Sequence, residues 1–332
     1  MWILKGKKMP TVGGIADTYS EWLSKPKIDL ADIDRVMKGQ QSRDPLLVIN
    51  SMHAPSMHVD LVCMAAEREL PVLEKTFEEI LYIVEGNGVI VQNEGGREQA
   101  YEFSTDDMIY TPPCVPTRLV NKGKRPLKFV RQRGLSLNPG AVEGVREPWP
   151  EASNSYFGAS PLASHDIEIK RKRIIRSAER QGFTQLIAAG AATAGTLGET
   201  PKPLKRLQRG IDYPTCGSRM IKMDINVFAA GEQADMLPSW HQVDEIIYVI
   251  EGHVTERLDG PGASEVLEAG PGDILYQPPK VVHQQRAPGG AKILVMCGVF
   301  LMSFFPEFLD GVHGAYTSEN ILIRRLGNQD TK

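Results

Sequence analysis

The run Glu79-Ile80-Leu81-Tyr82-Ile83-Val84-Glu85-Gly86 returns 166 positions later as Glu245-Ile246-Ile247-Tyr248-Val249-Ile250-Glu251-Gly252. A second block keeps the same offset: Asp107-Met108-Ile109-Tyr110-Thr111-Pro112-Pro113 matches Asp273-Ile274-Leu275-Tyr276-Gln277-Pro278-Pro279. The segment between the blocks has one length in both places, so the chain reads as two copies of one unit. Its 332 residues suit two domains of ordinary size. We divide it at 1–150 and 151–332.

Each unit is rich in short β-prone runs punctuated by Gly, Pro, Asn and Asp, which predicts an all-β sandwich or barrel. In the second copy the expected strands are Arg219–Phe228, Glu245–Ile250, Ile274–Gln277, His283–Arg286 and Ile293–Phe300. Met223, Ile225 and Val227 alternate with Lys222, Asp224 and Asn226, the pattern of a half-buried strand. Helical signal is confined to the flanks, chiefly Asp29–Met37 with its acidic start. Ile167–Glu179 reads as a β-prone stretch followed by a helical turn. Asn138–Ser164 reads as an irregular linker, and Ala188–Gly198 as either a tight helix or a loop.

Thirty-eight basic against forty-one acidic residues leave a net charge of −3. No basic stripe suits nucleic acid, and the run Lys170–Arg173 with Arg176 reads as one solvated face. The longest apolar stretch, Ile293–Phe305, is too short and too interrupted to span a bilayer. The first residues lack the features of a secretory signal. Cys63, Cys114, Cys216 and Cys297 are widely spaced and read as free thiols of a cytoplasmic protein.

The segment Gly270-Pro271-Gly272-Asp273 through Pro278-Pro279 to His283 resembles the second signature of the cupin superfamily. His241-Gln242-Val243-Asp244-Glu245 through Gly252 resembles the first. Both repeats take part, so the chain is similar to a bicupin, with two tandem jelly-roll barrels and short flanking helices. Ser239 stands where the usual pattern has a further histidine, which leaves three protein ligands rather than four. Bicupins of the homogentisate and gentisate dioxygenase type likewise carry a His, Glu, His set in the C-terminal barrel beside a degenerate N-terminal one.

The residues themselves point the same way. On a strand, positions four apart share a face, so His241 and Glu245 can point together, and His283 would join them from a neighbouring strand. Two imidazoles and a carboxylate suit Fe(II) with open coordination positions. Mn(II), Zn(II) or Ni(II) are alternatives. In the first copy the matching residues are Lys75, Glu79 and Thr117, and two of the three ligands are lost there. The N-terminal barrel is therefore expected to hold no metal.

The expectation is a non-haem Fe(II) dioxygenase acting with O₂ on a small aromatic or hydroxylated organic acid that chelates the metal. Its partners are small molecules, with no nucleic acid or membrane, and it assembles as a homo-oligomer. The rival readings are a redox-silent isomerase, hydrolase or lyase, and a non-catalytic metabolite-binding bicupin with a vestigial metal site. Tyr276 and Gln285 are assigned to the catalytic pocket by strand alternation, although Tyr110 repeats Tyr276 and favours a role in the fold. His253 reads as an exposed turn residue, His53 and His58 as a polar barrel edge, and His165 and His313 as structural. Asp106, Asp107 and Asp273 read as turn residues bonding backbone.

Overall fold

The computed structural model describes residues 22–39, 45–134, 171–182, 184–188, 203–211, 213–218, 220–231, 244–260, 263–278 and 281–298. Ser239, His241, His165, His313, the 138–164 linker and residues 189–198 lie outside them.

In chain order the strands are β1 (Leu23–Ser24), β2 (Leu46–His53), β3 (Met57–Met64), β4 (Glu79–Glu85), β5 (Asn87–Glu94), β6 (Arg97–Ser104), β7 (Met108–Thr111), β8 (Thr117–Asn121), β9 (Leu127–Gly134) and β10 (Ile174–Ile175). They continue with β11 (Thr184–Ala188), β12 (Pro203–Ile211), β13 (Ile221–Phe228), β14 (Glu245–Gly252), β15 (Val254–Gly260), β16 (Ala263–Ala269), β17 (Ile274–Gln277), β18 (Val282–Arg286) and β19 (Ala291–Gly298). The fold is all-β. The expected strands of the second copy are present, with β12 and the β15–β16 hairpin in addition. The flanking helix begins as a 3₁₀ turn at Leu30–Asp32 and continues as α1 (Ile33–Gly39). Asp29 caps it by accepting the Ala31 amide at 2.9 Å.

The duplication is visible in the sheets. The large sheet of the first copy runs β10-β7-β4-β9-β3-β2, and that of the second runs β1-β17-β14-β19-β13-β12-β11. Each copy adds a three-stranded sheet, β6-β5-β8 or β16-β15-β18. Register shifts recur at Ile83/Glu85 and Val249/Glu251. Gly252 closes its strand at φ 75°, where a side chain would run into the Gly290 backbone.

The outer strands are exchanged. β1 comes from the start of the chain yet pairs with β17 of the second copy, whereas β10 follows the linker and pairs with β7 of the first. Both cover an edge that would otherwise offer unpaired backbone groups.

The period-2 reading of β13 needs correction. Its polar residues do not face water: Lys222, Asp224 and Asn226 are 9%, 3% and 1% exposed. Met223 and Ile225 share one core with Tyr248, Tyr276, Ile80, Tyr82, Leu61 and Val130, so the apolar faces of the two large sheets pack on each other. Each fully buried side chain there contributes roughly 1.5–3 kcal/mol. The polar face of β13 looks instead into its own barrel.

The junction is tied by matched polar contacts. Tyr110 donates to Glu78, which also accepts from Ser218 and the Met220 amide. Tyr276 donates to Asp244 at 2.7 Å, and Asp244 also accepts from the Ser56 amide and hydroxyl. The described part of the basic run, Arg171–Arg173, is likewise not a simple solvated face, and Lys170 lies outside the described residues. Arg173 pairs with Glu94, its guanidinium lies 5.7 Å from the Tyr110 ring centroid, and Arg176 binds Asp107 at 2.7 Å. All four cysteines are free thiols. No helix among the described residues is long and apolar enough to cross a membrane.

Candidate metal centre and its counterpart

Directly opposed residues of an antiparallel pair share a face, which fixes what each barrel encloses. In the second copy Glu245 pairs with Gln277 on one side and Cys297 on the other, and Cys297 pairs with Lys222. From the small sheet, Glu256 pairs with Gln285 and Leu258 with His283. The Gln277 amide donates to Glu256 at 2.6 Å across the gap between the sheets. Glu245, Glu256, Gln277, Cys297, Lys222, Gln285 and His283 thus belong to one interior, and all are buried.

His283 reaches it from the sheet facing β14. The expectation of a neighbouring strand is corrected, because β18 pairs with β15. Its Nδ1 lies 3.0 Å from the Val281 carbonyl oxygen, a contact that leaves Nε2 for another partner. Gln285 shares its face. Tyr276 does not: it pairs with Ile246, contacts the Trp22 ring edge-on at 6.1 Å, and gives its hydroxyl to Asp244 on the junction side. Its phenol is raised well above the ordinary range, by burial first and then by Asp244. Alternation correctly groups Tyr276 with Ile274, but that face is the one between the barrels. His253 is exposed in its turn. His53 and His58 are cross-strand partners with stacked rings at 4.3 Å. Asp107 and Asp273 accept the Ser104 and Gly270 amides as turn residues do.

Several interior groups were not singled out from sequence. Cys297 donates to Glu245 Oε2 at 3.5 Å, and its thiol is held protonated by burial and then by Glu245. Lys222 pairs with Asp224 at 2.6 Å. The Oε1 atoms of Gln277 and Gln285 are buried with no hydrogen-bond donor among the described residues. Such orphaned acceptors are costly, and together with Glu245 and Glu256 they make an interior whose chemistry fits a cation. Among the described residues no three His, Cys, Asp or Glu side chains gather closely enough to hold a metal, and His241 stands outside them.

The first copy repeats the frame with other contents. Glu79 pairs with Thr111 and Arg133, Leu81 with Arg131, Ile90 with Leu119 and Gln92 with Thr117. Lys75 lies in the loop before β4, and its ammonium is ion-paired with Glu79.

The second-copy sequence matches the Cupin domain family over residues 226–298, the segment that builds β14 to β19. The structure repeats that unit in the first copy. The chain is a bicupin of the cupin superfamily. It is 30% identical to an uncharacterized protein of Methanocaldococcus jannaschii over 111 residues, 31% of this chain and 84% of that protein. Among solved structures, AerE from Microcystis aeruginosa is similar with a TM-score of 0.51 and 11% identity, covering 84% of this bicupin and 99% of AerE. A structure of oxalate decarboxylase from Bacillus subtilis gives 0.47 and 15%, over 73% of this chain and 68% of that one.

Proposed function

We propose that the C-terminal barrel is the centre of a metal-dependent cupin enzyme, with His241, Glu245 and His283 as protein ligands. In its finer form the reading is an Fe(II) dioxygenase for a small aromatic or hydroxylated organic acid. One observation carries the site. At the matching positions of the first copy, the residue four before the strand glutamate lies against it, as the Lys75–Glu79 ion pair. The same frame in the second copy supports His241 beside Glu245, with His283 opposite on the small sheet.

When bound, iron supplies Lewis acidity and a one-electron couple. The chain's own groups do the rest. The protonated Cys297 thiol donates to one oxygen of Glu245 and fixes that carboxylate's orientation. Gln277 is held by Glu256, so its Oε1 and that of Gln285 can accept from substrate hydroxyls and orient them. Tyr276 has no part in this pocket.

A specific observation favours a second reading. The Lys222–Asp224 pair brings an ammonium and a carboxylate to a buried interior, as a redox-silent isomerase, hydrolase or lyase using Mn(II), Zn(II) or Ni(II) would need. The test is O₂ uptake by protein loaded separately with Fe(II), Mn(II), Zn(II) and Ni(II), against a panel of catechols, hydroxybenzoates and 2-hydroxy acids. Uptake with Fe(II) alone supports the dioxygenase. Substrate turnover without O₂ consumption, with Mn(II) or Zn(II) as good as Fe(II), overturns it in favour of the second reading.

A further inference from the structure

The metal-poor barrel is not filled. A cavity of about 500 Å³ opens in the first copy, lined by Lys75, Glu79 and Thr117, the residues that match His241, Glu245 and His283. Arg131 also lines it, and the remaining wall is largely aliphatic and aromatic, including Leu81, Ile90, Leu119 and Phe129.

Register shows how its chemistry differs from the other interior. Where the second copy pairs Glu256 with Gln285, the first pairs Ile90 with Leu119. Where Ile247 faces Val295 in the second, Leu81 faces Arg131 in the first. Acceptors have become hydrocarbon, and a hydrocarbon has become a guanidinium. The charged lining is Lys75, Arg131 and Glu79, and counting Asp60 and Arg133, which stand behind it and outside the lining, gives three cations against two carboxylates. Asp60 is shared by both guanidiniums, at 2.9 Å from Arg131 and 2.5 Å from Arg133, so one positive charge is left over. Lys75 has three N–H donors and Arg131 has five. Among the described residues their side-chain hydrogen bonds run to Glu79 and Asp60, which occupy a minority of those donors.

We propose that the N-terminal barrel binds a small organic carboxylate with an apolar body, its anionic head at Lys75 and Arg131 and its hydrocarbon against Leu81, Ile90, Leu119 and Phe129. The size of the cavity admits a medium-chain or aryl-alkyl acid. This site is independent of the metal in the other barrel.

The experiment uses the full chain and isothermal titration with octanoate and its uncharged isostere octanamide, before and after metal is stripped with a chelator. Octanoate is expected to bind, octanamide about tenfold or more weakly, and chelation to leave octanoate affinity unchanged; about tenfold is the loss of one charge-assisted contact of some 1.4 kcal/mol. The double variant Lys75→Met/Glu79→Gln, which removes both members of the ion pair together, is expected to weaken octanoate by a similar factor at an unchanged melting profile. Absence of octanoate binding at millimolar concentration overturns the proposal. So does equal affinity for octanamide, or binding that disappears with the metal, which would put the acid in the C-terminal barrel and leave the metal reading intact.

Discussion

Two barrels of one strand order enclose opposite chemistries. The second gathers Glu245, Glu256 and the unsatisfied amide oxygens of Gln277 and Gln285. The first lays down Leu81, Ile90, Leu119 and Phe129 beneath Lys75 and Arg131. The outer faces have diverged much less: Tyr110–Glu78 and Tyr276–Asp244 remain equivalent across the junction. The packing face is held by its need to match the other copy, while the side chains lining each interior are free to differ. This division explains why the tyrosines recur and the histidines do not.

The largest expected effect comes from forcing one interior to resemble the other. Ile90, fully buried in the first barrel, sits where the second has Glu256. Ile90→Glu should cost about 3–5 kcal/mol in chemical denaturation, because it sets a carboxylate in the apolar cluster of Leu81, Leu119 and Phe129. Glu256→Gln keeps an acceptor for Gln277 and should cost only about 1 kcal/mol. Equal costs would mean that the two interiors are not chemically distinct. The junction tyrosines should behave as a matched pair at the next level. Tyr276→Phe and Tyr110→Phe should each lose about 1–3 kcal/mol with metal content unchanged. A Tyr276→Phe variant of full stability but altered turnover would return that phenol to the pocket. The smallest effect concerns pH. Burial, then His53 and Arg133, hold the His58 imidazole below its ordinary range. The unfolded chain therefore binds the proton more readily, and stability falls as pH drops below about 6.5. Melting curves between pH 7 and 5 should decline less steeply for His58→Gln than for the wild type; an identical slope would remove His58 from the acid response.

Much of this was legible in the sequence because the repeat keeps one spacing from β4 to β8. The paired Glu-Gly strands and the matched blocks opening at Asp107 and Asp273 marked both barrels, and Lys75 and Thr117 stand where the second copy has His241 and His283. Three things escaped for physical reasons. Alternation gives the phase of a strand and not which face is wet, so Lys222, Asp224 and Asn226 read as solvent-facing when both faces of β13 are covered. The same ambiguity put Tyr276 in the pocket. Strand order is non-local, so nothing near His283 reveals that it lies across from Glu245 rather than beside it. Thr255-Glu256-Arg257 carries too much charge to read as a partly buried strand, which hid Glu256 and its hairpin.

Metal analysis of the full chain, loaded with Fe(II) and freed of excess ion by gel filtration, tests the central claim most directly. One ion per chain is expected in the wild type and in Lys75→Met, and none in His241→Ala or His283→Ala. Two ions per wild-type chain, or one that survives the loss of either histidine, would contradict the division between the barrels.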